Sequence, residues 1–134
     1  MPHGVGPRHV KIMILALLLF LHAPATWAGE KVVMTLGDSL TAGYGLPAAD
    51  GFVAQLQAAL SKRGRQVLVR NGSVSGDTTS GGRARLAWTL SGRVDLVILE
   101  LGANDGLRGV DPAVTRANLD VMLAELKRRK IPVL

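Results

Sequence analysis

The sequence predicts an α/β fold in which helices cover both faces of a parallel sheet. Short runs of aliphatic and β-branched residues alternate with longer segments whose apolar residues recur at helical spacing. The run at residues 96–99 is apolar at every position, as expected of a central parallel strand buried on both faces. Elements that alternate at this length are joined by right-handed crossovers, so we predict a doubly wound parallel sheet.

The first half of the alternation contains two strands and one long helix. Residues 32–36 form the first strand, which Gly37 closes, and residues 67–69 form the second, which ends at Asn71 and Gly72. The helix between them stops before Gly64, and its apolar face is predicted to contain Phe52, Val53, Leu56 and Leu60.

The second half continues in the same order. A glycine-rich stretch at residues 75–82 precedes a helix marked by Leu86 and Leu90, and the strand at residues 96–99 follows. Asp111 is placed to cap the last helix and Pro112 to fill its first turn. Residues 131–134 then have the pattern of the opening of a fourth strand. The inner face of the last helix is predicted to contain Leu119, Met122, Leu123 and Leu126.

Residues 1–28 are predicted to be a signal peptide, which leaves residues 29–134 as one domain. A positive start precedes an apolar run at residues 12–21, and residues 25–28 offer small side chains for cleavage after Ala28. The run is shorter than the roughly 20 residues that a membrane span needs, which favours a cleaved signal peptide. The alternative is that residues 1–28 are retained as a membrane anchor. The chain contains no cysteine. We therefore expect a periplasmic or secreted protein without disulfides and without stable membrane insertion after cleavage.

The positive charge of the chain does not indicate a nucleic-acid partner. The formal net charge is +6, and basic residues cluster at 62–65 and 127–130. Both clusters follow predicted helix ends, where cations face the helix dipole favourably. One Tyr and two Phe are too few for base-stacking platforms.

Three loops are predicted to meet at one rim of the sheet, because ligands of such folds bind beyond the carboxyl ends of the strands. Ser39 lies in the first loop, just past a strand end, where free backbone N–H groups favour developing negative charge. Gly76 in the second loop lets a substrate carbonyl approach its N–H closely, and Asn104 in the third supplies an amide donor. These groups and the Ser39 N–H together predict an oxyanion hole.

Other interpretations of these loops are simpler or lack the necessary residues. A Gly-Asp-Ser turn after a strand is also a common helix cap, and Asn-Asp-Gly is an ordinary turn. A phosphate-binding loop would need a Lys-Ser or Lys-Thr pair after its glycines, and none is present. We expect no metal site, because residues 29–134 contain neither cysteine nor histidine.

The three loops, taken in order, resemble the sequence blocks of the SGNH, or GDSL, hydrolase family. The blocks are GDSLTAGYG at residues 37–45, NGSVSGDT at residues 71–78 and LGANDGLRG at residues 101–109. The resemblance covers about residues 32–134 and is closest to the periplasmic type I acyl-CoA thioesterases, also described as lysophospholipases and arylesterases. It implies a three-layer, flavodoxin-like SGNH hydrolase fold.

The resemblance also implies a reaction. Ser39 would be the nucleophile, and Gly76 and Asn104 would join its N–H in the oxyanion hole. The substrates would be small-molecule acyl esters or thioesters, hydrolysed through an acyl-serine without a cofactor by a full-length monomer. Within the family, an esterase of acetylated carbohydrates is an alternative. The non-enzymatic alternative is a remnant that binds acyl groups without catalysis.

The sequence departs from the family in lacking the fourth block, Asp-x-x-His, which supplies the base and the acid that orients it. All three histidines lie in or beside the leader, at positions 3, 9 and 22. We therefore expect a fold that is incomplete at its carboxyl terminus, and residues 29–134 that are inactive alone. Asp38 and Asp105 are expected to hold the loops, and Asp77 to cap the glycine-rich turn, because exposed carboxylates are weak bases for a serine proton.

We predict that the chain is exported and cleaved after Ala28, because the positive start, the short apolar run and the small residues act together. Mass spectrometry of the periplasmic fraction of an expressing bacterium should find a chain that begins at Gly29. Recovery of the uncleaved chain alone, in the membrane fraction, would contradict this prediction.

Overall fold

The computed structural model describes residues 29–134, and the predicted signal peptide lies outside the described residues. Three parallel strands form one sheet in the order β2-β1-β3. In the register of the sheet, Thr35 lies beside Asn71 on one side and beside Ile98 on the other. The predicted parallel α/β sheet is therefore confirmed. The strands are β1 (Lys31–Gly37), β2 (Val67–Asn71) and β3 (Leu96–Glu100).

Five helices connect and cover these strands in residues 29–134. They are α1 (Ser39–Ala42), α2 (Phe52–Lys62), α3 (Thr79–Thr89), α4 (Ala103–Leu107) and α5 (Pro112–Arg128). As predicted, Asp111 caps α5 by accepting the N–H of Ala113 at 2.8 Å, and Pro112 is in its first turn. Each of these helices is too short or too polar to cross a lipid bilayer.

The core lies on the face of the sheet that α3 and α5 cover together. Because side chains alternate along a strand, Met34 and Leu36 face this core while Val33 faces the other side. On that other side α2 packs against β2. Its Gln57 side chain bonds the Val67 carbonyl and the Val69 N–H at 2.8 and 2.7 Å, which satisfies part of the outer edge of β2. The buried core residues are Met34, Leu36, Leu86, Leu90, Val97, Met122 and Leu126.

The predicted helix with its apolar face is present as α2, and the predicted inner face of α5 needs correction. On α2, Val53, Leu56 and Leu60 are half-buried and Phe52 is 39% exposed, because this helix packs against an edge strand. On α5, Leu123 is 40% exposed, and Asn118 takes a buried position one turn before Met122. Asn118 is tolerated there because its amide donates to the hydroxyls of Thr79 and Ser80 at 3.1 and 2.9 Å.

The last residues of the chain pair with β3, as the sequence predicts. Val133 forms a parallel bridge with Val97. The N–H groups of Val97 and Leu99 donate to the carbonyls of Pro132 and Leu134 at 3.0 and 2.9 Å. The sheet therefore continues beyond β3 in parallel order.

The two leucines of α5 provide a matched test of this packing. Leu126→Ala should lower the free energy of unfolding by about 3 kcal/mol, because it removes a fully buried side chain and leaves a cavity. Leu123→Ala on the open side should lower it by less than about 1 kcal/mol. Urea denaturation followed by circular dichroism measures both. Equal losses would show that the core does not lie where the structure places it.

Candidate active site

Ser39 begins α1, directly after the end of β1. Asp38 caps this short helix, with its carboxylate accepting the N–H of Leu40 at 3.0 Å. Within residues 29–134, the Ser39 hydroxyl has no hydrogen-bond partner and the Ser39 N–H has no acceptor. Glycine is needed at position 37, where β1 packs closely beside β3, since a Cβ there would lie 2.8 Å from the carbonyl oxygen of Glu100. The Gly-Asp-Ser turn is thus a helix cap that also leaves a serine free at the rim.

The second loop is fastened to the end of β1 and then turns sharply at Gly76. The Val74 N–H donates to the Gly37 carbonyl at 3.0 Å, which continues the pairing of the strands. A turn follows, and a hydrogen bond from the Asp77 N–H to the Val74 carbonyl at 3.1 Å closes it. Gly76 has a φ of +80° at its third position, which favours glycine in a type II turn. The Gly76 N–H has no acceptor within residues 29–134.

The third loop contributes Asn104, on the short helix α4, and joins the other two loops. Its side-chain amide donates to the Asp38 carboxylate at 3.2 Å and to the Asp77 carbonyl at 2.9 Å. An amide nitrogen carries two hydrogens, so both are engaged with protein acceptors. The sequence predicted an amide donor at this position, and the structure shows that this amide also ties the first loop to the second.

A cavity of about 350 Å³ brings the predicted site residues together. It is lined by Ser39, Tyr44, Ser75, Gly76 and Asn104. A larger and mainly apolar groove, of about 590 Å³, lies along α4 and α5, but Ser39 is not in its lining. The smaller cavity is therefore the candidate active site. Tyr44 and Ser75 were not singled out from the sequence, although both stand inside the blocks that carry the other site residues.

Asp105, which follows Asn104, is buried beneath the rim. Its carboxylate accepts the N–H and the hydroxyl of Thr79 at 2.8 and 2.5 Å and the hydroxyl of Thr115 at 3.1 Å. Burial acts to raise the pKa of Asp105, but the hydrogen bonds from Thr79 and Thr115 together lower this pKa below the ordinary 3.8. The carboxylate therefore stays charged and joins α4 to the start of α3 and to α5.

Asp77 does not cap the glycine-rich turn, contrary to the expectation from the sequence. The cap of α3 is Thr78, whose hydroxyl accepts the N–H of Gly81 at 3.3 Å. The Asp77 carboxylate instead pairs with the Arg85 guanidinium at 2.6 Å. Asp77 therefore supports this loop through an ion pair with α3 and not as a cap.

Glu100 is a second acidic residue beneath the Ser39 loop, and the sequence analysis missed it. Its carboxylate accepts the Asp38 N–H at 3.4 Å and the Thr41 hydroxyl at 3.3 Å. Burial raises the pKa of Glu100 above the ordinary 4.5, and the negative charge of Asp38 acts in the same direction. A charged residue at the end of an otherwise apolar strand was the signal available in the sequence.

Residues 29–134 supply neither a histidine nor a metal site next to Ser39. All three histidines precede the described residues. No group of three or more Asp or Glu residues in the described part of the chain is arranged to hold a metal ion. The arrangement can present a serine hydroxyl and stabilise an oxyanion, and residues 29–134 contain no imidazole to accept the serine proton.

A family model and two known proteins match most of this chain. The model of the GDSL-like lipase/acylhydrolase family matches residues 35–134. The chain is 45% identical over 117 residues to an arylesterase of Vibrio mimicus, an alignment that covers 87% of this chain and 58% of the arylesterase. It is 38% identical over 120 residues to thioesterase 1/protease 1/lysophospholipase L1 of Escherichia coli, which covers 89% of this chain and 54% of that protein. The chain thus spans little more than half the length of these relatives.

A solved structure agrees with these matches. The crystal structure of AlinE4, an esterase of the SGNH-hydrolase family, superposes with a TM-score of 0.75 at 44% sequence identity. The superposition covers 79% of this chain and 58% of the AlinE4 chain. The predicted SGNH hydrolase fold is therefore confirmed.

Asp105 should contribute to stability in a pH-dependent way. Asp105→Asn should lower the free energy of unfolding by about 2 kcal/mol at pH 7, because it removes a charged acceptor from buried donors. Since the folded-state pKa of Asp105 is lowered, this contribution is complete above its unfolded pKa and is lost as the pH falls through the folded one. Urea unfolding of both chains between pH 7 and pH 2 measures this difference. A difference that does not shrink in acid would contradict the assignment.

Proposed function

Because the chain belongs to the GDSL-like lipase/acylhydrolase family, we propose that it carries the nucleophile and the oxyanion-stabilising groups of a serine hydrolase. The reaction is hydrolysis of a small-molecule carboxylic ester or thioester through an acyl-serine intermediate. The observation that carries this proposal is the free hydroxyl of Ser39 in one cavity with Gly76 and Asn104. No cofactor takes part.

The geometry supports the following course of the reaction. The Ser39 Oγ attacks the carbonyl carbon of the substrate, and the carbonyl oxygen becomes negatively charged. The N–H groups of Ser39 and Gly76, which have no acceptor within residues 29–134, donate to this oxygen. The tetrahedral intermediate then expels the alcohol or thiol, and water hydrolyses the acyl-serine in a second attack of the same kind.

The proton of Ser39 needs an acceptor. Asp38 is buried and bonded to Leu40 and Asn104, and Asp105 is bonded to Thr79 and Thr115, so neither carboxylate is directed at the serine by its hydrogen bonds. By resemblance to the family, the histidine of an Asp-x-x-His block has this role. The proposed catalysis therefore depends on a segment that residues 29–134 do not supply.

We further propose that the protein acts in the periplasm or outside the cell, after removal of residues 1–28. The support is the leader-like sequence with its apolar run at residues 12–21. Aryl esters and acyl thioesters are the substrates to try first, because the similar proteins include an arylesterase and a thioesterase.

A chimera tests the proposed chemistry. Residues 29–134 are joined to the remaining carboxyl-terminal part of the Vibrio mimicus arylesterase, and hydrolysis of p-nitrophenyl acetate and butyrate is measured. Ser39→Ala should lower kcat/KM by about a thousandfold or more. Residues 29–134 alone should hydrolyse these esters no faster than their own Ser39→Ala variant, because no imidazole takes the proton. A soluble chimera without Ser39-dependent turnover would contradict the proposal and favour an acyl-binding role.

The same chimera tests the oxyanion hole. Asn104→Ala should lower kcat by roughly a hundredfold or more with a smaller change in KM, because the amide acts on the transition state and holds two loops together. A change confined to KM would instead assign Asn104 to substrate binding.

A further inference from the structure

We propose that Arg85 is a positioning residue that holds the Ser39 and Gly76 N–H groups in one arrangement. Arg85 lies on α3, outside the three loops of the cavity, and its side chain is 17% exposed. The inference rests on the proposed function, since these N–H groups are the proposed oxyanion donors.

All three nitrogens of the Arg85 guanidinium donate hydrogen bonds. Nε pairs with the Asp77 carboxylate at 2.6 Å. Nη2 donates to the Gly37 carbonyl at 3.1 Å, and Nη1 donates to the Gly72 carbonyl and to the Thr89 hydroxyl. One side chain therefore bonds the end of β1 and both ends of the segment from Gly72 to Asp77.

These contacts lie next to the proposed donors in the sequence. Gly37 precedes Ser39 by two residues, and Asp77 directly follows Gly76. The Gly37 carbonyl also accepts the Val74 N–H at 3.0 Å, so Arg85 shares the acceptor that fastens the second loop to the first. Displacement of the guanidinium would release both loops together, and the distance between the two donors would no longer be fixed.

The geometry favours arginine over lysine at this position. A guanidinium is a rigid planar fork that bonds a carboxylate and two carbonyls in fixed directions at once. A lysine ammonium keeps the positive charge beside Asp77 but does not reproduce this fork. Arg85→Lys therefore removes the positioning while it keeps the charge, and it leaves a side chain of similar length in the partly buried site.

Kinetics of the chimera separate positioning from general stability. Arg85→Lys should lower kcat by about 10- to 100-fold with KM within about twofold, because the donors act mainly on the transition state. The matched control is Arg83→Lys on the same helix, where the Arg83 side chain donates to Asn118 at 3.1 Å and forms no hydrogen bond with the three loops within residues 29–134. This control should keep kcat within about twofold. Thermal melts ensure that every variant is folded at the assay temperature. An Arg85→Lys chimera with unchanged kcat would overturn the proposal.

Nuclear magnetic resonance of the full chain decides the positioning role independently of turnover. In Arg85→Lys, the backbone amide signals of Ser39 and Gly76 and the side-chain amide signals of Asn104 should shift, while those of Val133 should not. In Arg83→Lys all of these signals should stay at their wild-type positions. Unshifted Ser39 and Gly76 signals in Arg85→Lys would overturn the inference. If the wild-type chimera lacks Ser39-dependent turnover, the proposed function fails, and these shifts still determine whether Arg85 positions the loops.

Discussion

The parallel pairing of β1 between β2 and β3 is the constraint on which the candidate site depends. β1 is buried from Val33 to Gly37, and hydrogen bonds on both sides leave it one register. This register places Thr35 beside Asn71 and Gly37 beside Glu100, so the three loops leave the sheet at nearly the same level. A shift of one residue would turn every side chain of β1 to the opposite face of the sheet, and Leu36 would no longer lie in the core.

Buried charged side chains then hold the three loops in place at the rim of the sheet. Asp38 and Asp105 are each about 1% exposed, and each carboxylate accepts a backbone N–H in addition to side-chain donors. Such groups are costly to bury without partners, so each also selects the loop conformation that supplies them. Arg85 adds a cation that bonds two backbone carbonyls and Asp77. Under the proposed function, these contacts would hold the rim in place before a substrate binds, which is the condition for effective oxyanion stabilisation.

The sequence predicted what depends on local patterns and missed what depends on packing between distant segments. The strands, the cap at Asp111 and the meeting of Ser39, Gly76 and Asn104 follow from periodicity, turn chemistry and the topology of parallel sheets. The burial of Asn118 in place of Leu123 depends on hydroxyls contributed by α3, thirty-eight and more residues earlier. Arg85 and Glu100 appear in the sequence as ordinary charged residues, and only their tertiary contacts distinguish them from solvated ones.

The hydrogen bonds of Asn104 indicate how much each proposed donor would contribute to stabilising the oxyanion. The amide donates to the Asp77 carbonyl at 2.9 Å and to the Asp38 carboxylate at the longer distance of 3.2 Å. A hydrogen offered to an oxyanion must therefore be shared with one of these acceptors, and sharing it with Asp38 would bring two negative charges together. The Ser39 and Gly76 N–H groups have no such competitor within residues 29–134. Under the proposed function they carry the larger part of the stabilisation, and Asn104 adds a shared hydrogen and holds the first loop against the second.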